Sequence, residues 1–368
     1  MPYKLAVVFL FLVNFIACTA SEEKKVLIGD DFKTSMKFEQ LRDRNLLPEW
    51  FFYPSSNNQI GSIGISRTIS VGDCDSTCHA RKYALKGLFD YFEINVDENN
   101  KNYVKLIKGE KKTFAIKGKV FSVPDILFSH DYVFARAVSE GSGCSNKTDI
   151  SVPFSPEECS PHWICSPASG GGCGGIIGVS YRAASPQRQY ELAVKNGLLL
   201  LKYSYGVDIK GNESIRRLKT GTGIIRLRKN NFTMKLLGDK DKIRIHVKAI
   251  RYSGERMYLW LVSPDLPSFE INNAWINGNI SAGAVGISGK TASNLLSSQI
   301  DRAVQNALFN MAKNKELGVE VNETFIKKSD ASIFDQIIKN SVKTKIFPGL
   351  RGFSLDREDI VRVWMLPN

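Results

Sequence analysis

The chain has 368 residues, 43% of them apolar and 24% charged, and a formal net charge of +13. At roughly 150 residues per domain this length predicts two or three domains, and the composition is ordinary for a soluble globular protein. The positive charge belongs to the surface, either as a solvated Lys-rich coat or as an attraction for anionic lipid headgroups, cell-wall polymer or acidic partners; no dense Arg/Lys run interleaved with aromatics occurs, which excludes nucleic acid as the partner.

The amino terminus differs from the rest. Lys4 precedes an almost unbroken apolar run from Leu5 to Ala17. That run is too short to span a bilayer and fits a secretory signal peptide over residues 1–17. Phe15-Ile16-Ala17-Cys18 resembles a lipobox, in which Cys18 is acylated after cleavage, although Phe15 departs from the usual Leu. The other reading is cleavage after Ala20, which discards Cys18. Either route leaves six cysteines, Cys74, Cys78, Cys144, Cys159, Cys165 and Cys173. An even set in an exported chain predicts up to three disulfides, with local pairs such as Cys74–Cys78 preferred and the connectivity otherwise open. Residues 18–45 are charged and weakly periodic and are expected to form a tether.

Beyond residue 45 one pattern occurs three times. Trp50, Trp163 and Trp275 lie 113 and 112 residues apart. Each precedes a glycine-punctuated strand: Gly61-Ser-Ile-Gly64-Ile-Ser66, Gly175-Ile-Ile-Gly178-Val-Ser180 and Gly283-Ala-Val-Gly286-Ile-Ser288. An amphipathic helix follows, whose first small residue (Ala80, Ala193, Ala303) stands 30, 30 and 28 residues after the tryptophan. The pattern predicts three tandem copies of one domain, each long enough for a core of its own.

In unit one, residues 46–140, the expected elements are a strand over Ile60–Val71, a helix over His79–Phe92, a hairpin of Tyr103–Ile107 and Thr113–Val123, and a closing strand over Tyr132–Val138. A Cys/Pro/Ser-rich connector covers 141–160. Unit two, residues 161–265, places Ser185-Pro186 at a helix N-cap and first position. Its helix carries Tyr190, Ala193, Val194, Gly197, Leu198 and Leu201 on one stripe. The strand Ile243–Ala249 alternates apolar and basic residues, so His246 is expected on a wet face. Met257–Val262 closes the unit. In unit three, residues 266–368, Ile300, Ala303, Val304, Ala307, Leu308 and Met311 mark the helix. A polar insertion at Glu320–Lys339 is expected to contain a short helix around Ile333–Asn340, before strands near Thr344–Phe353 and Ile360–Leu366. The fold class is α+β: three tandem repeats, each a three- or four-stranded, mostly antiparallel sheet backed by one helix. Gly64, Gly178 and Gly286 are expected to admit close approach of that helix.

Pro48-Glu49-Trp50-Phe51, the Gly-Ile-Gly strand and Ala80-Arg81 opening a helix resemble the bacterial surface lipoproteins typified by the Helicobacter outer-membrane lipoprotein antigen, a group that includes flagellar outer-membrane ring lipoproteins. Pro161-His162-Trp163 with Tyr190-Glu191-Leu192-Ala193, and Ala274-Trp275 with Arg302-Ala303, continue the likeness; the third copy lacks the proline, and three copies in tandem depart from the single one usual there. The resemblance implies an envelope protein of structural or assembly type with no catalytic residues to carry over.

A direct search for chemistry agrees. Cys159-x2-His162-x2-Cys165 can be drawn as a zinc site and Cys78-His79 as an activated thiol, but an oxidising compartment favours disulfides in both. Gly170–Gly175 lacks the following Lys-Ser/Thr of a phosphate loop, and Gly-x-Ile-Gly-Ile/Val-Ser is no nucleophile elbow. Asn-x-Ser/Thr sites at Asn146, Asn212, Asn231, Asn279 and Asn322 are near the number chance supplies. The expectation is therefore an exported, lipid-anchored, non-enzymatic scaffold or assembly factor of the outer envelope, without cofactor or metal, with flagellar association as one such role. It would meet the membrane through its anchor, and envelope proteins or further copies of itself. One alternative is a periplasmic or secreted binding module that holds cell-wall polymer or glycolipid in grooves between units, on basic strands such as Arg244–Lys248. The other is a secreted enzyme with a site in unit three.

Overall fold

The computed structural model describes residues 26–28, 31–55, 58–69, 72–141, 144, 154–168, 173–203, 206–220, 223–237, 244–266, 268, 275–276, 280, 282–315, 318–328 and 331–367. The expected signal segment 1–17, Cys18, most of the expected 141–160 connector, Gly170, and the Asn146 and Asn279 sites lie outside them. In chain order the elements are β1 (Val26–Ile28), β2 (Asp31–Lys33), α1 (Phe38–Asp43), α2 (Glu49–Phe52), β3 (Gln59–Arg67), α3 (Ser76–Phe92), α4 (Lys101–Lys108), β4 (Thr113–Ile116), β5 (Lys119–Phe128), β6 (Tyr132–Glu140), β7 (Gly174–Ser180), α5 (Pro186–Leu201), β8 (Val207–Thr220), β9 (Gly223–Leu236), β10 (His246–Ser253), β11 (Arg256–Ser263), β12 (Ala284–Ser288), α6 (Leu296–Lys315), β13 (Gly318–Lys328), β14 (Ala331–Ile346), β15 (Pro348–Leu355) and β16 (Val361–Pro367). The fold is α+β.

Three sheet-and-helix layers share one wiring. A strand leads into a helix that packs back on it, and a later hairpin returns its second strand, antiparallel, to the first. The resulting orders are β5-β6-β3, β10-β11-β7 and β15-β16-β12. The first strand of each hairpin is bulged at a similar place, between Ser122 and Asp125, Val247 and Ala249, and Leu350 and Gly352. A methyl group at Gly64, Gly178 or Gly286 would stand 2.0, 2.3 or 1.9 Å from the carbonyl oxygen of Ala80, Ala193 or Ala303. Helix and strand backbones therefore touch in all three layers, and only glycine opposite alanine leaves room.

Local chemistry sets the helix ends. The Asp75 carboxylate caps α3 by accepting the Cys78 N–H at 2.7 Å, and the Ser185 hydroxyl accepts from Arg188 ahead of Pro186. The expected strand Tyr103–Ile107 is instead the helix α4. Tyr103, Leu106 and Ile107 stand at i, i+3 and i+4 and bury together, Asn100 accepts from Asn102 and Tyr103, and Gly109 ends the helix at φ 77°.

The expected helix at Ile333–Asn340 is also absent: these residues lie in β14. Strand β14 pairs with β13 on one side and with β8 on the other, from Phe334↔Lys219 to Ile346↔Val207. Two hairpins inserted at corresponding points, β8–β9 and β13–β14, thus form one four-stranded sheet that joins the second and third layers. Isolated periodicity gave no sign of it because the pairing that joins the two hairpins, β14 with β8, links residues more than a hundred positions apart.

Nor does each unit keep a core to itself. One hydrophobic cluster runs from Phe38, Phe51 and Phe134 through Ile177, Tyr258 and Trp260 to Leu308, Phe353 and Val363; a second, smaller one fills the space between α3, α4 and the first sheet. The expected tether contributes to the large cluster from its carboxyl-terminal part: β2 pairs in parallel with β5, and Phe38 and Leu41 are buried. Strand β10 lies beside β3, and β15 beside β7, so each later layer covers the first strand of the one before.

The six cysteines form Cys74–Cys78, Cys144–Cys173 and Cys159–Cys165. Sulfurs of Cys159 and Cys165 are bonded to each other, which removes the zinc alternative drawn through them.

Candidate binding groove

The two junctions between layers are built differently. Between the second and third, α5 and α6 pack together, and Lys202, Tyr203 and Gln305 converge on the Asp301 carboxylate at 3.4, 3.2 and 2.8 Å. The Asp359 carboxylate accepts from Tyr181 at 2.7 Å and from Arg256, and pairs with Lys290 at 3.1 Å. Burial alone would raise the Asp359 carboxyl; hydrogen bonds from Tyr181 and Lys290, with the Arg256 and Lys290 charges, outweigh it and hold it below 3.8.

Between the first and second layers, α3 and α5 stay apart and leave a groove of about 650 Å³. Tyr83, Gly87 and Tyr91 line one wall at helical spacing, and Tyr190, Val194 and Leu198 the other. The floor is Gly61–Ile63 of β3 and Ile245–Val247 at the start of β10. Charged side chains ring this apolar interior: Lys86 is paired with Asp90 at 2.6 Å, Glu191 with Arg188 at 3.3 Å, and Lys195 also borders the opening. A second recess of about 400 Å³, between Ser66, His79 and Ser185, shares Tyr83 and Gln187 with the first.

Buried polar contacts keep the groove's base in place. The Ser55 hydroxyl donates to the Val247 carbonyl at 2.7 Å and accepts the Gly61 N–H at 3.0 Å, bridging the two layers. The Gln187 amide oxygen accepts the Ile65 N–H at 2.9 Å. Burial pushes the Tyr190 hydroxyl up to about 12, against hydrogen bonds with Ser62 and the Ile63 backbone. The Arg251 guanidinium lies 4.8 Å from the centre of the Tyr53 ring and donates to its hydroxyl.

The basic-strand expectation is corrected here. Arg244 is held by Asp265 in two contacts of 2.5 and 3.1 Å, and the Lys248 ammonium is buried against the Cys144 carbonyl at 2.9 Å, where burial lowers its pKa. His246, expected on a wet face, is 5% exposed. Its ring stands edge-on to Tyr91 at 5.2 Å, and neither nitrogen has a hydrogen-bond partner. The alternation in Ile243–Ala249 failed as a guide because both faces of β10 are covered, one by the first layer and the other by the second.

Burial, with the Lys248 charge, pushes His246 down to about 3 from 6.5. The unfolded chain therefore takes up a proton near pH 6.5 that the folded chain refuses, so the neutral imidazole favours folding above that pH and the advantage is lost as pH falls from 6.5 towards 3. His246→Leu is expected to remove that acid-side slope, of about one proton, from a plot of urea-unfolding free energy against pH. An unchanged slope would show that His246 is not the group responsible.

Of the signature residues, Trp163 stacks on Trp260 at 5.6 Å and Trp275 on Trp364 at 6.1 Å, whereas Trp50 is half-buried and its neighbour Phe51 takes the interior position. None of the three lines the groove. Among the described residues, no three His, Cys, Asp or Glu side chains approach closely enough to hold a metal ion. No family model, curated protein or solved structure matches the chain.

Proposed function

We propose that this chain is an exported, non-enzymatic protein of the bacterial outer envelope, anchored through acylated Cys18, whose three layers are divergent copies of one unit, and that it holds an amphiphile of glycolipid type in the groove between the first two. The observation that carries the binding function is the contrast between junctions: α5 closes on α6, while α3 and α5 leave an apolar trough with a charged rim. Such a trough suits a ligand with an apolar body and a polar head, because chain burial drives binding and the rim orients the head. The likeness of Pro48–Phe51 and its counterparts to surface lipoproteins supports the envelope placement, and the three disulfides fit export.

Dodecyl maltoside, titrated below its aggregation concentration and followed by calorimetry, is expected to bind saturably. Leu198→Glu, at a position 41% exposed on the groove wall, should weaken it about tenfold or more without unfolding the protein. Binding that ignores Leu198→Glu would remove the groove from the proposal. Fractionation of the source cells tests the anchor separately: wild type is expected with the membranes and Cys18→Ser in the soluble fraction.

A further inference from the structure

The polar groups around the base of the groove are held within the protein, with one exception. Ser55 bridges Val247 and Gly61, the Gln187 amide oxygen accepts from the Ile65 N–H, and the Tyr190 hydroxyl meets Ser62 and the Ile63 backbone. His246 lines the same floor, is 5% exposed, and has no hydrogen-bond partner at Nδ1 or Nε2. Other described side chains also bury an unmet polar atom, among them the Trp163 and Trp275 indoles and the Tyr252 hydroxyl. None of these three lines the groove or the smaller recess beside it, and none leaves two atoms unmet. A buried imidazole without partners destabilises the empty protein, because both nitrogens have lost water and gained nothing in exchange. A leucine would fill the place without that loss.

We infer that the occupant of the groove carries an uncharged hydroxyl at the deep end of its apolar body, and that His246 selects it by a hydrogen bond. This rests on the amphiphile-binding reading of the groove and narrows its ligand to a hydroxylated amphiphile. The chemistry of the floor disfavours the other polar groups. A cation is repelled by the Lys248 ammonium, whose charge is near enough to act on His246 itself. A carboxylate would enter an apolar floor with Lys248 already engaged by the Cys144 carbonyl. A hydroxyl is neutral and suits either tautomer of a neutral imidazole, since it donates to the bare nitrogen or accepts from the N–H. Tyr91 stands edge-on to the ring at 5.2 Å and also lines the groove. Turning of that side chain is the movement that admits the hydroxyl to the shielded nitrogens.

Calorimetry with octyl, decyl and dodecyl maltoside, each beside its ω-hydroxy analogue and below its aggregation concentration, tests the assignment. The series of lengths places the terminal hydroxyl at different depths. At one length or more the ω-hydroxy analogue is expected to bind wild type about tenfold or more tighter than its parent, against the ordinary penalty for a hydroxyl on an apolar tail. The ring-nitrogen chemical shifts of His246, one of four histidines, should move on binding, a readout in wild type that does not depend on how well any variant folds. His246→Leu should reverse the preference, and His246→Gln, which keeps a donor and an acceptor, should retain part of it. Three results would each overturn the hydroxyl assignment and leave the groove reading standing: parents that bind while no analogue binds more tightly, a preference that survives His246→Leu, or His246 nitrogens that ignore a bound analogue. If no maltoside of either kind binds, the groove reading falls and this inference falls with it.

Discussion

Gly286→Ala is expected to destabilise the protein by about 3 kcal/mol or more, close to the upper end for overpacked cores. The new methyl would stand 1.9 Å from the Ala303 carbonyl oxygen and 2.3 Å from the Ala307 nitrogen, both backbone atoms of α6. Side-chain rotation cannot relieve a clash with backbone, so the helix has to lift from β12 and expose part of the packing around Ala303, Val304, Ala307 and Leu308, all of which are 0% exposed. Urea unfolding measures the loss. Gly289→Ala, three residues on, meets nothing within 4 Å and serves as the control. Equal stability of the two variants would mean that helix and strand are not in contact. Gly64 and Gly178 should behave as Gly286 does, which separates a packing requirement common to the layers from a peculiarity of the third.

The second large effect lies in the disulfides. Replacing Cys144 and Cys173 together by Ser is expected to cost about 3–4 kcal/mol, since this bridge closes a 29-residue separation and its removal frees that loop in the unfolded chain. Removing Cys74–Cys78 in the same way should cost less, because a separation of 4 restricts few conformations. The Cys144 pair carries a further contribution: its carbonyl accepts from the buried Lys248 ammonium, and moving that carbonyl leaves a buried charge without its partner. Paired urea titrations of the two double variants give the comparison. A larger loss from the Cys74–Cys78 pair would reverse the assignment of loop closure as the cause.

Particular residues show how much was legible beforehand. Ser185-Pro186 marked the start of α5, and its stripe from Tyr190 to Leu201 marked the buried face, because capping and 3.6-residue periodicity are local. The pairing Cys74–Cys78 followed from proximity in the chain. Tyr103–Ile107 went wrong although its signals were local too: Asn100 before and Gly109 after the segment are a helix cap and a helix stop, and reading the apolar run alone hid them. His246 and β14 failed for another reason. Whether an alternating strand is wet on one side depends on what lies over it, and what lies over β10 is the first layer, while β14 pairs with β13 beside it in the chain and takes its second partner, β8, from the second layer. The groove itself had no signature, since its walls are the ordinary apolar stripes of two amphipathic helices.

What the sequence determined by itself is the repeated strand-then-helix wiring and the glycine–alanine contact inside each layer, because these depend on spacing within a few tens of residues and on side-chain volume. Only the tertiary structure decided that α5 meets α6 but not α3, that His246 is buried without a partner and that Ile287 is bare where Ile65 and Val179 are covered. Nearly identical motifs acquire different surroundings from the layer that follows them, and burial is a property of the neighbour as much as of the residue.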